Sequence, residues 1–295
     1  MDGMTLADGE APEALADGAA APEGPHPLAD IQPGIYGDIA EDLYHSGPGV
    51  SNSTLKRLAE APIKAITVRE ETPALRFGTL THLAILQPEL LADRYHVVKL
   101  ARLNPKDGAY KEAKAIAGNR ELVRQPDWDD AMRISDAVRR NPTAREILSA
   151  GLLVEQSGYW IDPETGLLCR SRMDILRPDM GVIGDLKSAA DASYDGFAKA
   201  VANQQYDWQV AHYLEGAEAA PNGFVPNAFL FIAVEKEAPY CVGIYELEPE
   251  DIIIASEKVH AQLRRYAECQ RLNEWPGYPA TVQRLQLPAW YRRAA

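Results

Sequence analysis

Cysteine is scarce in this chain. The three residues, Cys169, Cys241 and Cys269, lie far apart and are odd in number. No Cys-x-x-Cys pair or cysteine–histidine cluster occurs, so neither a disulfide framework nor a zinc or iron–sulfur site is expected. A reduced, cytoplasmic protein follows. Long apolar runs are missing too, so no bilayer-spanning segment and no membrane partner are expected. The N-terminus lacks a basic stretch leading into an apolar core, so no secretory signal peptide is expected. Neither HExxH nor a P-loop is present, which leaves metalloprotease and nucleotide-binding readings with little support. Positive charge is also short: 30 Lys and Arg stand against 43 Asp and Glu, a net charge of −13. Phosphate binding usually leaves a basic footprint, so this balance lends a nucleic-acid partner no support. The acids are unevenly spread, however. Residues 1–30 hold seven acids and no Lys or Arg, leaving −6 for the rest of the chain.

What is present is an ordinary globular composition. A hydrophobic fraction of 46% over 295 residues supplies a sizeable core. Residues 1–30 are rich in Ala, Gly, Pro and acids and almost devoid of large apolar side chains. Such a segment cannot bury enough surface to offset its ordering entropy, so it reads as a disordered, solvated tail. Residues 31–295 read as a single α/β domain. Its early part is helical. Ser51-Asn52-Ser53-Thr54 before Leu55 and Leu58 resembles an N-cap, and Pro62 interrupts the helix. Gly78–Leu86 continues as a buried helix, Tyr95–Val98 is a short strand, and residues 109–149 carry charged helical segments.

The middle of the chain changes character. Leu152–Ile161 and Leu167–Leu176 have strand character and are joined by the turn sequence Asp162-Pro163-Glu164-Thr165-Gly166. A second turn at Pro178–Gly181 leads into a strand over Val182–Ser188. Tyr194–Ala220 reads as helix, Asn227–Val234 and Cys241–Leu247 as strands, and Glu250–Leu272 as a long helix. This order predicts one sheet with helices packed on its faces.

The chemistry concentrates in Arg172-Met173-Asp174 and Gly184-Asp185-Leu186-Lys187. Asp185 and Lys187 are two residues apart and share one face of a strand. Asp174 lies on the preceding strand and can sit beside Asp185. Adjacent carboxylates repel unless a cation lies between them, and an oxygen donor set suits Mg²⁺ or Mn²⁺. A lysine beside such a cation can orient an attacking water or help deprotonate it. Read alone, Asp185-Leu186-Lys187 is better taken as an ordinary ion pair on a solvated strand face, because three-residue patterns recur by chance. Its setting in Val182–Lys187, apolar first and then doubly charged on one face, is unusual for such an edge.

These residues resemble the PD-(D/E)xK nuclease superfamily, and within it the RecE-like (exodeoxyribonuclease VIII type) and RecB-like exonuclease branch. Arg76-Phe77-Gly78-Thr79-Leu80-Thr81-His82 is similar to that branch's G-x-x-x-H helix. Glu155 is similar to the acid of the first strand, and Asp174 to the second-motif aspartate. Asp185-Leu186-Lys187 is similar to the D-x-K, and Gln209-Val210-Ala211-His212-Tyr213 to the Q-x-x-x-Y helix. The opening Ser51–Leu55 and the closing Trp275–Tyr278 with Leu287–Trp290 also match the RecE-type subgroup. The resemblance spans roughly residues 34–291, and its weight lies in the order of motifs that are individually weak.

The resemblance implies a restriction-endonuclease-like core: a central mixed sheet flanked by helices, with a helical N-terminal portion. It implies metal ligation by His82, Asp174, Asp185, the carbonyl of Leu186 and Glu155, and catalysis by Asp174, Asp185, Lys187 and Gln209. A neutral imidazole at His82 would bind the ion, although a histidine among Leu80, Leu83 and Ala84 also suits a core position. Gln209 and Tyr213 share a helix face at i and i+4. Tyr213 and Arg172 are candidates for the DNA backbone, while Tyr213 also fits a core and Arg172 also suits neutralising the acids. Ser53 and Arg76 are candidates for a 5′-phosphate, with Ser53 equally a helix cap. Mg²⁺, replaceable by Mn²⁺, is the implied cofactor. The implied activity is removal of the 5′-ended strand of linear duplex DNA, leaving 3′ overhangs for recombination. Implied partners are a ring-shaped homo-oligomer (trimer or tetramer) around DNA and a single-strand-annealing recombinase. Rival readings are a RecB- or Cas4-like nuclease of single strands, and a DNA-binding member of the fold without turnover.

Overall fold

The computed structural model describes residues 27–68 and 72–287. The tail expected to be disordered lies outside these residues except for 27–30, and Pro288–Trp290 of the closing motif lies outside them too. In chain order the elements are β1 (Gly34–Tyr36), α1 (Glu41–Ser46), β2 (Val50–Ser51), α2 (Asn52–Glu60), α3 (Pro62–Ile66), α4 (Pro73–Leu86), α5 (Leu91–Arg94), β3 (Tyr95–Val98), α6 (Gly108–Ala117), β4 (Glu121–Arg124), α7 (Gln125–Arg140) and α8 (Pro142–Ile147). There follow β5 (Leu153–Ile161), β6 (Leu168–Arg177), β7 (Val182–Ala189), α9 (Tyr194–Gln204), α10 (Tyr206–Ala219), β8 (Ala228–Glu235), β9 (Val242–Tyr245) and α11 (Pro249–Leu272).

The main sheet runs β1-β5-β6-β7-β8-β9, with β2 added in parallel on β6. β5, β6 and β7 form an antiparallel meander, because short turns can join only antiparallel neighbours. β8 pairs parallel to β7 from Val182↔Ala228 to Ala189↔Glu235. A parallel neighbour needs a crossover, and α9 and α10 supply it. The sheet is therefore mixed and carries helices on both faces, as expected.

Strand alternation sorts the core into layers. Leu176, Ile183, Phe229 and Phe231 pack against Phe197 and Val201 of α9 and Val210 and Ala217 of α10. On the other face, Ile175, Leu186, Ile232 and Val234 meet Ile85 of α4, Ile134 and Val138 of α7 and Ile147 of α8. A third cluster joins Leu55 of α2, Trp160, Trp208 and Ala211 to Val259 and Leu263 of α11. No helix among the described residues is long and apolar enough to cross a membrane.

Three local expectations are corrected. The helix over 194–220 is two helices, broken at Gln205 in the left-handed region (φ 54°, ψ 44°). That conformation favours glycine, so a glutamine there gives no sequence signal. The cap of α2 is Ser51, whose hydroxyl accepts from the Thr54 N–H at 3.2 Å, and Ser53 lies exposed in the first turn. Within the segment expected to be helical, residues 121–124 form β4, paired in parallel with β3.

His212 of α10 is fully buried, with its ring 4.7 Å from that of Trp160 and Nε2 3.2 Å from the Arg170 carbonyl oxygen. Burial holds it neutral and lowers its pKa to about 4. Between pH 6.5 and 4 the unfolded chain therefore binds a proton that the native state refuses. Stability is complete above 6.5 and is lost as pH falls through this window. The contribution is on the order of 3 kcal/mol. Urea denaturation at pH 4.5 and 7 should show a smaller loss on acidification for His212→Gln than for the parent; an equal loss would contradict this.

Candidate active site

The site begins where two strands part. Val154↔Ile175 and Gln156↔Met173 place Glu155 opposite Asp174. Ile175↔Gly184, the last β6–β7 pair, places Asp174 opposite Asp185. Three acids thus stand abreast on three neighbouring strands. Up to that last pair the strands are close: a Cβ on Gly184 would lie 3.0 Å from the Cβ of Ile175. Beyond it the ladder stops, and the Leu186 N–H donates instead to Oδ2 of Asp174 at 3.0 Å. An extended residue points its N–H and C=O to the same side. The Leu186 carbonyl therefore faces the gap that Asp174 fills. Glu155 has φ 53°, a costly left-handed conformation for a residue with a side chain, and it interrupts the β5–β6 pairing beside Asp174.

α4 brings His82 from one helical layer, with Nδ1 3.4 Å from Oδ2 of Asp174. Ligand atoms of His82, Glu155 and Asp174 all lie within 4.8 Å of one another. This nitrogen and oxygen donor set fits a divalent cation. Burial, and then the charge of Asp185, push the Asp174 carboxyl up to about 7, and His82 only partly offsets them. Such a carboxylate is poorly compensated by protein groups alone, as a metal ligand would be.

α10 reaches in from the other layer. Asp185 and Lys187 form an ion pair. The Gln209 amide spans both: Nε2 donates to Oδ1 of Asp185 at 2.5 Å, and Oε1 accepts from Nζ of Lys187 at 3.0 Å. Burial acts to lower the Lys187 pKa, but Asp185 and Asp174 outweigh it and hold the lysine above its ordinary value. Lys187 is thus a charged donor, suited to orienting a nucleophile and not to deprotonating one. Asp185 stands with Lys187 and Gln209, outside the group of three formed by His82, Glu155 and Asp174.

Glu155 and Asp174 open into a cleft of about 1000 Å³, and Asp185 lies buried outside its lining. Tyr213, one turn beyond Gln209, lines it and packs 6.3 Å from the Phe229 ring. Arg172 donates to Glu155 at 2.7 Å, Ser157 Oγ at 2.9 Å and the Ile39 carbonyl at 3.0 Å. Ser53 lines the cleft, whereas Arg76 is exposed on α4 outside the lining. Lys56, Tyr206 and Arg170 are among the cleft residues that escaped the sequence reading. Arg170 is buried and donates to the carbonyls of Tyr44, His45 and Gly47, gripping the end of α1. Lys56 lies two residues past the Ser51–Thr54 signature, and its helical spacing alone held no hint of the cleft.

The sequence matches the family described as "PDDEXK-like domain of unknown function (DUF3799)" over residues 51–287, and the chain belongs to that family. No match to a curated protein is found. The fold is similar to the crystal structure of a "Putative exonuclease" from Eubacterium rectale, with a TM-score of 0.58 and 16% identity. The similarity covers 87% of this chain and 98% of that one. The restriction-endonuclease-like architecture expected from the motifs is therefore present.

Asp174 supplies a test of the donor set that needs no substrate. Its raised pKa means that its contribution to stability is complete below 3.8 and is lost as pH rises through about 7. Without divalent cations at pH 8, Asp174→Asn should therefore melt several degrees above the parent, with the gap closing on acidification. Added Mn²⁺ should raise the melting temperature of the parent and leave the variant unmoved. A variant that is less stable at pH 8, or that responds fully to Mn²⁺, would remove Asp174 from the donor set.

Proposed function

We propose that the chain is a divalent-metal-dependent exodeoxyribonuclease that degrades the 5′-ended strand of linear duplex DNA and leaves a 3′ overhang. The observation that carries the reading is the fork between β6 and β7. There Asp174 takes the Leu186 N–H, Asp185 pairs with Lys187, and ligand atoms of His82 and Glu155 lie close to those of Asp174. His82, Glu155, Asp174, Asp185 and the Leu186 carbonyl would hold Mg²⁺, with Mn²⁺ as a substitute. The bound ion would supply positive charge for the phosphate oxygens and acidify a water.

The chain's own residues do the positioning. Lys187 directs its ammonium at the attacking water and the reacting phosphate. Gln209 fixes Lys187 and Asp185 together, so that the two cannot rotate independently. Arg172 balances Glu155 and keeps the acid row from repelling the approaching strand. Tyr213 borders the path of the backbone, and Ser53 is assigned to the 5′-phosphate, whereas Arg76, outside the cleft lining, is not. A ring of three or four copies around DNA and an annealing recombinase that takes up the 3′ strand complete the proposal. The RecE-like motif order supports these last assignments.

The test is digestion of linear 5′-phosphorylated duplex, covalently closed circles and single strands, with and without Mg²⁺. The expected result is metal-dependent loss of the 5′-ended strand from the linear duplex alone, releasing 5′-nucleotides. Asp185→Ala and Lys187→Ala should each lower the rate by orders of magnitude while keeping the parent circular dichroism spectrum. Cleavage of closed circles, or full activity in either folded variant, would overturn the proposal. Preferential digestion of single strands would move it to the RecB- or Cas4-like alternative.

A further inference from the structure

Tyr206 opens α10 directly after the left-handed Gln205, and two ammonium groups lie over its ring. Nζ of Lys187 is 4.6 Å from the ring centroid and Nζ of Lys56 is 5.1 Å from it. Lys56 comes from α2 and donates to the Gln204 carbonyl at 2.7 Å. That carbonyl ends α9, where helix carbonyls lack partners and a cation is favourable. Capping accounts for one of the three donors of Lys56. Among the described residues no carboxylate lies within ion-pair distance of it, although it lines an acid-rich cleft. Burial, followed by repulsion from Lys187, lowers its pKa to about 8. Two cations gathered on one ring, one of them lacking a counter-charge, form a place where an anion removes an existing cost.

We infer that Lys56, Tyr206 and Lys187 form a seat for two successive phosphates of a bound strand, with Lys56 taking an oxygen of the phosphodiester beside the reacting one. Tyr206 is the positioning residue that keeps the two ammonium groups at a fixed separation. Lys56 holds the strand and does not take part in bond cleavage. The inference rests on the nuclease reading but concerns a separate residue and a separate quantity.

The experiment measures binding of a fluorescent, 5′-phosphorylated DNA end by anisotropy in EDTA, across a range of salt. Lys56→Gln should weaken binding about tenfold and reduce the slope of log affinity against log salt by about 1, whereas Lys56→Arg should keep the parent slope. In Mg²⁺, Lys56→Gln should raise KM and leave kcat near the parent value. A single methylphosphonate beside the scissile linkage should weaken the parent to the level of Lys56→Gln and leave that variant unchanged. Tyr206→Leu should reproduce part of the loss, and Tyr206→Phe none of it. A folded Lys56→Gln protein with parent affinity and slope would reduce Lys56 to a helix cap and overturn the inference. So would a loss that follows the terminal 5′-phosphate and ignores the methylphosphonate. If the parent neither binds nor digests DNA, the nuclease reading falls and takes this inference with it. Normal digestion by the parent with an unaffected Lys56→Gln variant sinks this inference alone.

Discussion

The separation of β6 from β7 just past the Ile175–Gly184 pair governs the rest of the molecule. In an intact ladder the Leu186 N–H would be spent on a main-chain carbonyl. Here a carboxylate oxygen of Asp174 takes it, so that N–H keeps a partner while the sheet opens. The opening gives a mostly apolar β-layer a polar mouth in its interior. It also lets helices of both layers contribute to one site, α4 through His82 and α10 through Gln209.

Such a site works against stability. Asp174 is a charged group withdrawn from water beside a second acid, and its neighbours only partly repay the cost of withdrawal. The surrounding packing carries the deficit: Phe197, Phe229 and Phe231 below, Ile175, Leu186 and Ile232 above. Gln209 lies at the junction, bonded at once to the acid and the base. Its position on a helix that also buries Val210, Ala211 and His212 gives it little freedom to relax.

Much of this was legible in the residues. The alternation around Asp185 and Lys187 places both on one face whatever the rest of the chain does, and the turn chemistry at 162–166 and 178–181 forces the meander. The expected strand Tyr95–Val98 has the bounds found, and Val182–Ser188 falls one residue short. What escaped depends on register or on rare backbone states. β1 and β2, of three and two residues, are too short for a period to emerge. Gln205 adopts a left-handed conformation without glycine to announce it. The opposition of Glu155 and Asp174 needs the strand register, which no local pattern fixes. Lys56 and Tyr206 are about 150 positions apart, and only the completed crossover after β7 brings them together.

The N-terminal wall of the cleft is tied in an unusual way. Arg170 and Arg172 hold residues 39–47 almost wholly through main-chain carbonyls, those of Ile39, Tyr44, His45 and Gly47. A grip on the backbone is indifferent to the side chains it carries. Apart from the buried Tyr44, Glu41, which pairs with Arg94 at 2.6 Å, and Gly47, where a Cβ would lie 2.8 Å from the Leu43 carbonyl oxygen, these positions can therefore drift in charge and size without loosening the wall. That makes this strip a place where related proteins can retune what the cleft accepts while leaving the acids untouched.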